Sequence, residues 1–316
     1  MKTLYIVVPC YNEEEVLPET SKRLLEKLTS LENQGRVTAK SRILFVDDGS
    51  RDKTWEMILA LHKQNPRFAG VKLAHNKGHQ NALLAGLMTA KNYCDIAISM
   101  DADLQDDIDA VDKMLDENDL GSDIVYGVRS SRETDTAFKR TTAQGFYKFM
   151  KLMGVDVVYN HADYRLMSRR ALDALEGYKE VNLFLRGIVP LIGFKSSTVT
   201  YERHERFAGE SKYPLKKMLS FAFDGITSFS VKPIRWVTVM GFLIFIASIL
   251  AIVYSVVSKL MGVAVAGWTA TMLSIWMLGG IQLLSLGIIG EYIGKIYIES
   301  KERPRFLIEA LELTEE

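Results

Sequence analysis

The chain has 316 residues, enough for one large cored domain plus a smaller element. Lysine plus arginine and aspartate plus glutamate each number 39, a balance that gives no signal for nucleic-acid binding or for a polyacidic partner. Hydropathy is unevenly spread, because residues 1–230 read as soluble protein whereas 236–290 are almost free of charge.

The first predicted element is the β-branched run "LYIVV" at residues 4–8, a buried parallel strand by composition. Its apolar run is too short for a signal peptide and turns acidic at once, so the chain reads as starting in the cytosol. A helix follows from Glu13 to about Leu31, with Val16, Leu17, Leu24, Leu25 and Leu28 on one face. "RILFVDDGS" is a second strand and Trp55 to His62 its helix. "GVKLAHN" is a third, followed by the small-residue helix "GHQNALLAGLMTA". "DIAISMDAD" and "DIVYGVR" are the fourth and fifth. Such alternation predicts right-handed βαβ units, a parallel sheet covered on both faces, and ligands at the carboxyl ends of the strands. Those ends carry "PCYNE", "DDGS", "HNKGHQ", "DADLQ" and "GVRSSR". Cys10 and Cys94 sit in strand-like apolar contexts without a CxxC spacing, and read as reduced core thiols.

The tail differs. Trp236–Ser258 and Trp268–Gly290 are each long and apolar enough to cross a hydrocarbon core of about 30 Å. Lys216, Lys217, Lys232 and Arg235 flank the pair on one side, Lys295, Lys301, Arg303 and Arg305 on the other, which places both flanks in the cytosol. Two buried core helices are the alternative. Before the pair, "YPLKKMLSFAFDGITSF" sets Leu215, Met218, Leu219, Ala222, Ile226 and Phe229 on one helical face. That face suits the headgroup layer or a seat on the soluble domain.

The stretch "ISMDADLQDD" crowds four carboxylates behind an apolar run. A strand carrying Asp101 and Asp103 would point both to one side, and two hard oxygen ligands there suit Mg²⁺ or Mn²⁺ holding a diphosphate. Asp106 and Asp107 read as the start of the next helix, where carboxylates favour the dipole. A solvated acidic loop is the plain alternative for the whole cluster.

Taken together, "VVPCYNEE", "VDDGS", "HNKGHQNALLAG", "DADLQ" and "DYRLMSRRAL" resemble, in order and spacing, the family 2 glycosyltransferases of GT-A fold. More narrowly the chain is similar to polyprenyl-phosphate glycosyltransferases, related to dolichol-phosphate mannose synthase and the GtrB-type bactoprenol glucosyltransferases. "RFAGESKY" and "GEYIGKIYIESKERP" extend the likeness over nearly the whole chain, while Asp107 stands where the family usually has proline. The resemblance implies an α/β GT-A (Rossmann-like) domain over 1–210 and an interfacial helix region over 211–232. It implies two transmembrane helices within 233–294 and a cytosolic tail over 295–316.

The resemblance also implies roles. Pro9, Tyr11, Asn12 and Glu13 would line base and ribose, Asp48 would lie near the base, and Lys77 and Ala102 beside the donor nucleotide. Asp101, Asp103 and Gln105 would surround Mg²⁺ or Mn²⁺, with Asp103 also catalytic. Asp163 matches the family's proposed base, although it can equally orient Arg165 or the acceptor, since a phosphate acceptor is largely ionised near pH 7. Tyr11 and Asp48 also fit plain turn positions. Arg129, Arg140 and Arg206 would grip the lipid phosphate through forked hydrogen bonds. The reaction implied is transfer of a hexose, first choice glucose from UDP-glucose, to polyprenyl (undecaprenyl) phosphate with inversion. The implied setting is a homo-oligomer in a bacterial-type inner membrane, multi-pass, with its catalytic domain cytoplasmic. A processive polysaccharide synthase is excluded by "KPIRW", where Lys232 replaces the glutamine of QxxRW, and by the few spans. A Rossmann oxidoreductase is excluded because no GxGxxG follows the first strand. A membrane-anchored nucleotide-binding scaffold would show an eroded acidic motif, whereas Asp101, Asp103 and Gln105 are intact.

Overall fold

The computed structural model describes residues 1–129, 161–181, 183–202, 230, 232–261 and 267–313. Arg140, Arg206 and the amphipathic stretch 213–229 lie outside them. The described residues fall into two compact units, one built on a sheet and one on two long helices.

Four strands form the parallel block: β1 (Leu4–Cys10), β2 (Arg42–Asp47), β3 (Phe68–Leu73) and β4 (Ile96–Ser99). β1 lies between β2 and β4, and β2 pairs onward with β3. All seven residues of β1 are buried, as expected of a strand covered on both faces. Ile6 and Val8 face the leucines of α1 (Leu17–Asn33), while Val7 faces α3 (His79–Ala90). That alternation is the period of two in action. A methyl at Gly86 would lie 2.4 Å from Val7 Cγ1 and 2.6 Å from Val46 Cγ2, so α3 rests directly on the sheet. Each aliphatic side chain buried in these layers contributes about 1.5–3 kcal/mol relative to exposure.

The α2 (Thr54–Gln64) and α4 (Ala110–Asp119) helices complete the crossovers of this half. The rest of the unit comprises β5 (Ile124–Arg129), β6 (His161–Ser168), α5 (Arg169–Glu176), α6 (Leu185–Leu191) and β7 (Ser196–Tyr201). The sheet has eight strands in the order β7-β5-β6-β4-β1-β2-β3-β8, so it is mixed and not wholly parallel. β6 inserts antiparallel between β4 and β5, which separates two strands expected to be neighbours. The far edge is closed by β8 (Ile308–Glu312), antiparallel to β3, and Lys72 pairs with Glu309 at 3.0 Å. The segment after the long helices therefore returns to the sheet.

In the second unit, α7 (Lys232–Leu260) has 29 residues and α8 (Trp268–Ser300) has 33, or about 43 and 50 Å at 1.5 Å per residue. The two predicted spans fall inside them. Large apolar side chains such as Phe242, Leu250, Leu283 and Leu286 are exposed on these helices. Among the described residues, Met277–Ser300 is long and apolar enough to cross a membrane.

Candidate active site

The parallel block delivers its loops to one end of the sheet. After β1, Tyr11 leaves its ring exposed, and Asn12 adopts a left-handed φ of 54° that asparagine tolerates. Asn12 is stapled to the β2–α2 loop, its amide donating to Ser50 Oγ (3.0 Å) and its Oδ1 accepting from Arg51 N (2.9 Å). Glu13 N donates to Thr54 Oγ1 at 2.9 Å. Asp48 is buried, and its carboxylate accepts from the backbone amides of Lys77 (2.7 Å) and Gly78 (2.8 Å). Burial pushes its pKa up against the pull of those amides. Gly49 makes this clasp possible: its φ is +68°, and a Cβ there would lie 2.7 Å from Asn76 N. Pro9, Tyr11, Asn12, Glu13, Asp48 and Lys77 are thus gathered where β1, β2 and β3 end. Asn12 and Asp48 also have structural partners that the residue pattern did not announce.

The β4 strand ends at Ser99, so a turn and not a strand carries the acidic motif. Strand alternation therefore does not explain how Asp101 and Asp103 come together. Leu104 takes φ 58°, Asp103 Oδ1 accepts from Gln105 N (3.2 Å), and the carbonyl of buried Ala102 accepts from Thr20 Oγ1 (2.7 Å). These bonds fix the turn. Loss of solvation raises the Asp101 pKa, the charges of Asp163 and Asp103 add to it, and His79 and Arg186 oppose it. Among the described residues no three His, Cys, Asp or Glu side chains form a ready metal cage. A dication held by one or two carboxylates and substrate phosphates needs no such cage, and the neighbouring carboxylates of Asp101 and Asp103 are a fitting hard-oxygen donor set.

Asp163 is the hub of the site. It sits on β6 with 5% exposure, and Ser99 Oγ donates to its carbonyl. Its Oδ1 accepts from Arg165 Nη2 (2.5 Å) and Arg186 Nε (3.3 Å), its Oδ2 from Gln80 Nε2 (3.1 Å) and Arg186 Nη2 (3.1 Å). His79 Nε2 lies 3.6 Å from Asp163 Oδ2 and 3.5 Å from Asp101 Oδ1, linking hub and acidic turn. Desolvation would raise the Asp163 pKa, but Arg186, His79 and Arg165 outweigh it and hold the carboxyl well below its usual range. Desolvation likewise opposes the His79 charge, and the neighbouring Asp163 and Asp101 carboxylates win, raising its pKa. The same partners seat α6, because Arg165 Nη1 donates to Leu185 O (3.3 Å) and Leu185 N to Gln80 Oε1 (3.0 Å).

Arg129 ends β5, its Nε donating to Tyr201 Oη (3.4 Å) and its Nη2 lying 3.9 Å from Asp106 Oδ1. Tyr201 donates to the same Asp106 oxygen at 2.5 Å. Asp106 is therefore not a solvated helix opener. It is 3% exposed, and its Oδ2 is buried with no hydrogen-bond partner among the described residues. Burial, then the Asp101 charge, push its pKa to about 6 against the pull of Tyr201 and Arg129. Residue reading thus missed Asp106, Tyr201, His79, Gln80 and Arg186. A lone arginine in the apolar run "VNLFLRGIVPL" was the available signal for Arg186.

A family model described as glycosyl transferase family 2 matches residues 5–176, and one described as GtrB C-terminal hairpin matches 232–296. The uncharacterized glycosyltransferase YkoT of Bacillus subtilis (strain 168) is 57% identical over 97% of this chain and 91% of its own length. The bactoprenol glucosyl transferase of Shigella phage SfV is 39% identical over 96% of this chain and 97% of its own. The prophage bactoprenol glucosyl transferase homolog of Escherichia coli (strain K12) is 38% identical over 96% and 97%. The matched hairpin together with the apolar span of α8 marks a membrane-associated protein. Near-full-length likeness and a mixed sheet with its loops gathered at one end lead to one assignment: the chain belongs to the family 2 glycosyltransferases, with a GT-A domain and a GtrB-type C-terminal hairpin.

Proposed function

We propose that this glycosyltransferase moves a hexose, glucose from UDP-glucose as first choice, onto a polyprenyl phosphate, with inversion at the anomeric carbon. The observation that carries it is the meeting of an acidic turn and a cationic cluster at one sheet end: Asp101 and Asp103 on one side, Arg129 and Arg186 on the other, with His79 and Asp163 between. Arginines beside the acidic turn suit an anionic acceptor. Likeness to proteins named bactoprenol glucosyl transferases supports the same acceptor.

In this reading Tyr11 stacks on the base, and Asp48 holds the 75–78 loop so that Lys77 reaches the diphosphate. Mg²⁺ or Mn²⁺ bound at Asp101, Asp103 and Gln105 supplies positive charge for the departing diphosphate. Arg129, joined by Arg140 and Arg206, grips the acceptor phosphate. Asp163 positions arginines and takes no proton, because its three cationic neighbours keep it ionised and weakly basic. The α7 and α8 helices span a bacterial-type inner membrane with both flanks cytoplasmic, by the excess of lysine and arginine there. N-acetylglucosamine, galactose and mannose donors are the alternatives. Incubating membranes carrying the full chain with labelled nucleotide sugars and undecaprenyl phosphate tests it: label in the lipid fraction names the donor. No label in lipid from any sugar refutes the acceptor assignment.

A further inference from the structure

We propose that Arg186 is a catalytic residue that touches both the leaving diphosphate and the acceptor phosphate, with Asp163 as its positioning residue; this rests on the polyprenyl-phosphate reading above. Three groups share the hub, and they differ in access. Asp163 and Arg165 are sealed, with side chains 6% and 1% exposed, whereas the Arg186 side chain is 31% exposed. A cation needed merely to neutralise Asp163 is already present in Arg165, which also ties down Leu185 O. Arg186 is a second cation at the same carboxylate, and the one of the pair open to solvent.

Its geometry is that of a mounted fork. Nε and Nη2 meet the two Asp163 oxygens at 3.3 and 3.1 Å, which fixes the guanidinium plane. The α6 helix beneath it is fixed in turn, since Leu185 bonds Gln80 through its amide and Arg165 through its carbonyl. Arg186 and His79 share Asp163 Oδ2 as a neighbour. His79 bridges Asp163 to Asp101 at 3.6 and 3.5 Å, so the acidic turn is one side chain away from the hub. On the other flank Arg129, at the end of β5, is near enough for the two like charges to oppose each other.

The chemistry explains why a cation belongs there. An acceptor phosphate oxygen forms a bond to the anomeric carbon while the bond from that carbon to the diphosphate oxygen breaks, and the electron pair leaves with the nucleoside diphosphate. No proton moves, because the acceptor monoester is dianionic above its second pKa of about 6. Negative charge therefore passes from acceptor to leaving group, leaving a singly charged phosphodiester and a nucleoside diphosphate one charge richer. Two anions must approach closely before this can happen. A fixed guanidinium between them reduces that repulsion and serves whichever end holds more charge, without reorganising during the step.

The test uses the full chain in vesicles with two readouts for Arg186→Gln and Arg186→Lys: equilibrium binding of UDP with Mg²⁺, and transfer from UDP-glucose to undecaprenyl phosphate. Loss of the fork is expected to weaken UDP about tenfold and to lower kcat by about 10²-fold or more in folded protein. Lysine is expected to recover only part of either, since a point charge lacks the fork. UDP affinity within twofold of wild type in Arg186→Gln overturns the inference. Full recovery by lysine also overturns it, because that marks a charge balancer. Intact UDP binding by the wild type without lipid-linked product is a separate result, one that sinks the acceptor assignment while the UDP arm still decides Arg186.

Discussion

Replacing Asp163 with asparagine keeps the size of the hub and removes its charge. Arg165, with its side chain 1% exposed, then faces an amide and retains the carbonyl of Leu185 as a partner. Breaking one side of a buried ion pair costs about 3–5 kcal/mol, because the remaining charge stays desolvated. Arg186 adds little to that loss, being able to turn toward water. Taking about 3 kcal/mol and about 2–4 °C per kcal/mol for a domain of this size, Asp163→Asn should melt about 6–12 °C below wild type. Differential scanning of the full chain in detergent measures it.

The sign of the pH dependence follows from the direction of the shift. The folded pKa of Asp163 is lowered, so its contribution is fully present above the unfolded carboxylate value, about 4, and is lost as pH falls through the lower folded value. The gap between wild type and variant should then not close between pH 8 and pH 5; it should widen as pH falls through the raised pKa of His79, whose charge Asp163 stabilises. A gap that closes over that interval, or a variant melting within 2 °C of wild type, would refute the anchor role. The same direction bears on catalysis. A carboxyl held that low gives no rate limb between pH 5 and 8, so an acid limb near pH 6 belongs to the acceptor's second ionisation or to Asp106, whose pKa is about 6. It should keep its position in Asp163→Asn while the plateau drops.

Three further outcomes are expected. Asp103→Ala should lower transfer by about 10²-fold or more and raise the Mg²⁺ or Mn²⁺ concentration needed for half-maximal rate, and full turnover in chelator refutes the metal assignment. Gly49→Ala should destabilise by about 1–3 kcal/mol, because its φ of +68° and the 2.7 Å approach of Asn76 N leave no room for a methyl; an unchanged melt contradicts this. A cysteine at Gly262 should react with an impermeant thiol reagent from outside the cell while one at Thr314 should not, and the reverse pattern overturns the proposed topology.

How much of this was legible depends on where each charge finds its partner. The strands β1, β2 and β4 read off directly, because burial on both faces leaves an unbroken apolar run with polar residues at its end. β6 was invisible as a strand: it carries Asp163 and Arg165, whose burial is permitted by pairing with each other and with Arg186 and Gln80. β8 gave no signal either, being five residues long and largely exposed on a sheet edge. Among the crowded carboxylates from Asp101 to Asp107, nothing local says which one is buried. Tyr201, 95 positions onward, selects Asp106 by donating to it, and Arg129 adds the compensating charge. The acidic motif thus names the donors of charge, and long-range partners decide what each can do. Asp163 makes the point most sharply. The family resemblance offers it as a base or as an orienting group, and its local sequence does not show the imidazole and two guanidiniums that hold its pKa down and seat it against Arg186.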